Sequence, residues 1–226
     1  MSNNRIVRLP ASQQIPGIMS EMQTAADTLQ EIGWGVSVFG SARIRPDSPY
    51  YALSETVGAR LAKAGLTVIA GGGPGIMEAA NKGAFQAGGN SVGLNIKLPR
   101  EASNNQYQTH SLTFDYFYSR KATFFMHSAA YIALPGGFGT MDELFEVLTL
   151  VQTRKIPPAP IVLIGSSFWA GLIDWIRIQL LANKLIGPHD LDLLTITDDI
   201  DVVMETIESF CTQYAEERYV APALPE

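Results

Sequence analysis

Glu143 and the adjacent pair Arg120-Lys121 are the side chains of this sequence whose types best suit proton and charge transfer. Glu143 closes the run Thr140-Met141-Asp142-Glu143, which fits a capping box. The threonine would accept from the Glu143 N–H while the carboxylate bonds back to the Thr140 backbone. Spacing alone favours that reading. With a ligand phosphate in the Gly136–Gly139 turn, however, Glu143 would lie one helical turn beyond it, placed as a general base. Arg120 is expected on a short helix whose buried face is Phe117, Phe124 and Phe125, with Arg120, Thr123 and His127 as a stripe beside it. Such a basic pair is commonly a solvated edge. In an acidic chain it is equally the natural partner of a substrate phosphate or leaving group, and Arg43 shares that argument in weaker context. Ser41 has neither a GxSxG elbow nor a recognisable His/Asp partner, so it reads as a hydrogen-bond donor, not a nucleophile.

Three glycine loops offer these groups a ligand: Gly40-Ser41-Ala42-Arg43, Gly71-Gly72-Gly73-Pro74-Gly75 and Pro135-Gly136-Gly137-Phe138-Gly139-Thr140. Each follows a predicted strand and leads toward a helix. All three therefore fall at the C-terminal edge of a parallel sheet, where one small ligand would touch residues such as Gly40, Ser41, Gly72, Gly73 and Phe138. Without a Cβ, backbone N–H groups approach an anion closely, and a helix N-terminus adds partial positive charge. The common nucleotide fingerprints are absent: Gly71-x-Gly73 lacks the third glycine of GxGxxG, and no GxxxxGK[ST] occurs. Hydride-transfer cofactors and P-loop ATP hydrolysis lose support accordingly. Tight strand-to-helix turns are the plainer explanation of any one loop; three at one edge weaken it.

Composition narrows the ligand. The 226 residues carry 16 Lys plus Arg against 22 Asp plus Glu, a net charge of -6, so no global field draws nucleic acid or anionic lipid. Any phosphate must be captured locally, and 20 glycines supply the means. One cysteine, Cys211, allows no intrachain disulfide and suits a reducing compartment. His110, His127 and His189 stand at no metal-ligand spacing, so no metal is expected. Residues 1–10 lack the apolar run of a signal peptide, and the stretch from Ile161 to Ile173 is too broken to span a bilayer. The expectation is a soluble cytoplasmic protein.

The elements that must position these residues follow from periodicity. Apolar β-branched runs predict strands at 36–39, 66–70, 92–96, 112–114, 130–134, 161–164 and 193–196. Helical spacing predicts helices over 18–32, 49–64, 76–86, 116–128, 140–151, 168–181 and 199–211, with Ser48-Pro49 as a cap. Residues 1–16 read as a loose arm. The alternation implies an α/β, Rossmann-like doubly wound parallel sheet covered on both faces. The expected organisation is an N-terminal arm and helix (1–33), one nucleotide-binding domain (34–213) and a C-terminal tail (214–226).

On these residues the chain resembles the LOG family, the cytokinin riboside 5'-monophosphate phosphoribohydrolases, which are often labelled lysine decarboxylases. The segment 135–143 reads as the family's PGGxGTxxE, with Arg120-Lys121 in its usual place upstream. The runs 71–81 and 93–99 look like the longer bacterial branch, and the likeness extends from about Val36 to Phe210. The resemblance implies hydrolysis of the N-glycosidic bond of an adenosine-type 5'-monophosphate to free base and ribose 5-phosphate, without a cofactor. It implies Arg120 and Glu143 as the catalytic pair and Gly136, Gly137, Gly139 and Thr140 as the phosphate cradle. Lys121, Glu101 and Thr149 fall where the family contacts substrate, although Glu101 sits in a stretch that departs from the family pattern. It also implies homodimers or larger assemblies, with Trp169 and Trp175 available for an interface. Two alternatives share these residues: a broader nucleotide 5'-monophosphate nucleosidase in salvage, and a non-enzymatic nucleotide-binding protein. A pyridoxal phosphate reaction finds no marked Schiff-base lysine.

Overall fold

Seven short apolar runs pair, all in parallel, into one sheet of order β4-β3-β2-β1-β5-β6-β7. The computed structural model describes residues 10–98 and 104–216, and Glu101 lies outside them. The strands are β1 (Gly35–Phe39), β2 (Thr67–Ala70), β3 (Ser91–Ile96), β4 (His110–Phe114), β5 (Ala130–Ala133), β6 (Ile161–Leu163) and β7 (Leu194–Ile196). The helices are α1 (Ala11–Thr28), α2 (Pro49–Lys63), α3 (Ile76–Gln86), α4 (Phe117–Met126), α5 (Phe138–Gln152), α6 (Ser166–Trp175) and α7 (Ile200–Glu216).

Alternation along the strands divides the core between the two faces of the sheet. Val36, Val38, Val68, Ala70, Ile132 and Leu134 face the layer of α2, α3 and α7. Phe39, Ile69, Leu94, Tyr131 and Ala133 face the other, where Phe124, Leu144 and Trp169 pack from α4, α5 and α6. The chain winds outward from β1 to β4, then returns to the other side of β1 with β5. That reversal opens a crevice at the C-terminal ends of β1 and β5.

Three local expectations are corrected. Helix α1 begins at Ala11, so residues 11–16 are helix and not a loose arm; Pro16 lies inside it, and a Cβ at Gly17 would crowd the Tyr116 ring. Phe117 is exposed, whereas Phe124 and Phe125 are buried as expected. Trp169 is fully buried, its indole N–H donating to the Ile164 carbonyl at 3.0 Å, so it belongs to the core; Trp175 is exposed. The Ser48 cap is as predicted, accepting from the Tyr50 N–H with Pro49 at the first helical position. The sixth predicted helix changes to a π-helical turn over Ile176–Leu181.

Candidate active site

The three glycine loops meet. The Ser41 N–H donates to the Pro135 carbonyl at 3.1 Å, and the Ser41 carbonyl accepts from the Ile76 N–H at 3.1 Å. The first loop is thereby bonded to the third and to the start of α3, which the second loop leads into. Together they line a cleft of about 710 Å³. Of the residues expected from the sequence, Gly40, Ser41, Gly73, Arg120, Gly136, Gly137, Phe138, Gly139, Thr140 and Glu143 line it.

One end of this cleft is the start of α5. That helix begins at Phe138 with Gly137 as N-cap, and no side chain caps it. Thr140 is consequently a buried residue of the first turn, not the cap, and Glu143 lies too far along the helix to bond back to it as a capping box requires. The Thr140-x-x-Glu143 spacing misled because glycine, with no side chain to read, holds the cap position. Initial N–H groups of α5 are left for an exogenous acceptor, as at anion-binding helix N-termini.

Arg120 crosses under the second loop. Its Nε donates to the Leu94 carbonyl at 2.7 Å and Nη2 to the Gly71 carbonyl at 3.2 Å. A Cβ at Gly71 would crowd Nη2 and the Met77 sulfur, so a larger residue here would displace the guanidinium. The remaining Nη1 stands 4.0 Å from Glu143 Oε1, the two side chains being 8% and 14% exposed. Arg120 is therefore no solvated edge. Burial lowers its pKa, and Glu143 opposes that shift. Burial also raises Glu143 from 4.5 to about 7, more than Arg120 pulls it down, with Asp142 adding to the rise. A carboxyl poised there exchanges protons at neutral pH.

Other expected residues lie elsewhere. Lys121 pairs with Asp142 at 2.8 Å and with Glu146, and is not among the cleft-lining residues. Thr149 is exposed further along α5, its hydroxyl donating to the Phe145 carbonyl at 2.7 Å. Gly72 is buried behind the loop, its carbonyl accepting from the Asn105 N–H at 2.8 Å and from Gln108 Nε2 at 3.1 Å. Sequence reasoning missed Met77, Asn95, Ile96, Leu98, Phe117 and Met141, which also line the cleft. Asn95 and Ile96 end β3 and Leu98 follows it, so the strand-end rule applied once more would have found them. Phe117 precedes Arg120 by three residues and shares its side of α4.

An open parallel sheet with glycine loops at its switch point and a buried carboxyl–guanidinium pair defines a Rossmann-like protein with a cleft suited in shape and chemistry to a small anionic ligand. The sequence model of a family described as "Possible lysine decarboxylase" matches residues 77–207. The cytokinin riboside 5'-monophosphate phosphoribohydrolase of Mycobacterium tuberculosis is 32% identical over 177 residues, 74% of this chain and 89% of the relative. The Arabidopsis thaliana enzyme of that name, LOG4, is 31% identical over 135 residues; the match covers 58% of this chain and only 62% of the plant protein. A molybdenum cofactor binding protein from Rippkaea orientalis has the same fold at TM-score 0.56 and 22% identity, covering 78% and 95% of the two chains. The chain belongs to the LOG family, which carries the lysine decarboxylase description. A pyridoxal phosphate reaction needs a Schiff-base lysine, and no lysine lines the cleft among the described residues, so that group does not fit.

Proposed function

We propose that the protein hydrolyses the N-glycosidic bond of an adenosine-type 5'-monophosphate, N6-substituted or plain, to free base and ribose 5-phosphate. The observation that carries this reading is the buried Arg120–Glu143 pair beside an uncapped glycine turn. The turn holds the 5'-phosphate on the first N–H groups of α5, with Gly136, Gly137, Gly139 and Thr140 as the cradle. As the base leaves, C1' becomes oxocarbenium-like, which favours negative charge beside the sugar. Ionised Glu143 supplies it, holds the ribose hydroxyls and steers water onto C1'. Water gives its hydroxyl to C1' and its proton to the carboxylate, while the base leaves with a proton from solvent. Arg120, fixed by two carbonyls, supports charge on the departing base without losing its own proton.

The exposed rings of Phe117 and Phe138 at the cleft offer the base apolar surface. On the same reading residues 34–213 form one catalytic domain, and the protein is cytoplasmic. Among the described residues no helix is long and apolar enough to cross a membrane. The protein assembles as a homo-oligomer, for which exposed Trp175 and Ile178 on one helical face provide apolar surface. Chromatography of products from AMP, IMP, GMP, CMP and isopentenyl-AMP tests the reaction. Free base with ribose 5-phosphate from the adenine nucleotides is the expected result. Equal rates across all five would indicate the broader nucleosidase, and binding without release of base would indicate a carrier.

A further inference from the structure

The proposed reaction leaves a charge unaccounted for at the cleft. A phosphate monoester carries roughly -1.5 to -2 at neutral pH. Of the charged residues described along the cleft, Arg120 and Glu143 offset each other when both are ionised. Arg120 has also committed two of its nitrogens to the Leu94 and Gly71 carbonyls. Lys121 is consumed by Asp142 and Glu146. Arg43 is the third charged residue along the cleft, and no described carboxylate pairs with it.

Its backbone is held close to the phosphate turn. The Arg43 N–H donates to Ser41 Oγ at 3.0 Å, and the Ser41 N–H donates to Pro135, the residue before Gly136, at 3.1 Å. An exposed guanidinium two residues beyond that tie can swing over a dianion seated on α5 and bond it bidentately. From this juxtaposition we infer that Arg43 is the cation that clamps the 5'-phosphate, and so the residue by which the site prefers a nucleoside 5'-monophosphate to the uncharged nucleoside. The inference rests on the proposed reaction for its substrate but concerns binding, so it is measured separately from turnover.

The test compares the unmodified protein with Arg43→Ala, Arg43→Lys and Arg45→Ala. Arg45 is the control: it pairs with Asp47 at 3.3 Å and does not line the cleft. Calorimetric Kd values for AMP and inorganic phosphate are read beside KM and kcat for AMP. Losing a charge-assisted, bidentate contact should raise both Kd values and KM about 10- to 100-fold in Arg43→Ala, with kcat within about twofold. Arg43→Lys should recover part of the affinity and Arg45→Ala should match the unmodified protein. Unchanged Kd values in Arg43→Ala, or an equal loss in Arg45→Ala, would overturn the assignment. An unmodified protein that binds AMP through Arg43 yet releases no base would leave this inference standing and remove the hydrolase reading.

Discussion

Glu143 carries two consequences of one burial. In the proposed reaction its carboxyl must be ionised to stabilise an oxocarbenium ion, and its pKa is raised to about 7. With AMP as substrate, kcat/KM should therefore climb as pH rises through about 7 and level off above it, measured from about pH 5 to about pH 9. A flat acid limb down to pH 5 would place the essential ionisation elsewhere. Stability runs the other way. The folded chain holds this proton more tightly than the unfolded one, so Glu143 contributes stability that is full below 4.5 and lost as pH rises through about 7. Glu143→Gln should cut turnover about 10²- to 10⁴-fold with AMP affinity largely kept. Near-normal turnover in that variant would remove Glu143 from the mechanism.

At the scale of elements, α4 is the part on which Arg120 depends, and α1 holds it. Glu21 of α1 accepts from the Asp115 N–H at 2.7 Å and from the Ser119 hydroxyl, serving the first turn of a helix whose own N-cap, Tyr116, contributes no side-chain bond. Removing that carboxylate in Glu21→Ala should cost about 1–2 kcal/mol and lower kcat more than it raises KM, since in the proposed reaction α4 orients Arg120 and does not bind the phosphate. Thermal melting with steady-state kinetics checks this, and Glu21→Gln should restore part of both. The alternation of β-branched runs with helical spacing made the seven strands legible within a residue or two, because a sheet buried on both faces writes itself as apolar runs. The starts of α1 and α5 were less legible for local reasons. Pro16-Gly17 look like breakers yet sit within α1, and a glycine N-cap leaves no side-chain signature. The Arg120–Glu143 pair was legible as residue types in a motif, but not its burial, which depends on carbonyls from β2 and β3 ends brought over by the fold. Likewise no spacing rule could announce that Asn95, Gln108 and Asn105 join through amide hydrogen bonds to brace the second glycine loop.

Taken whole, the molecule on the proposed reading captures charge locally while repelling it globally. A net charge of -6 offers no steering field to polyanions, and the described cations along the cleft are two. Small phosphate monoesters fit that balance. Exposed Trp175 and Ile178 nonetheless offer apolar surface for self-association, beside the mutually neutralising pair Asp174–Arg177. Replacing both with lysine should lower the mass measured by light scattering toward that of a single 24.6 kDa chain. An unchanged mass would move the subunit contact to another face.

The backbone tie of Ser41 to both Pro135 and Ile76 gives the proposed phosphate end a thermodynamic and kinetic character. Loops already joined to one another need little ordering when an anion arrives, so little conformational entropy is set against its capture. Phosphate association followed by stopped flow should then be a single phase whose rate grows linearly with ligand concentration, because the loop backbone needs no rearrangement and rotation of an exposed side chain such as Arg43 is too fast to show as a separate phase.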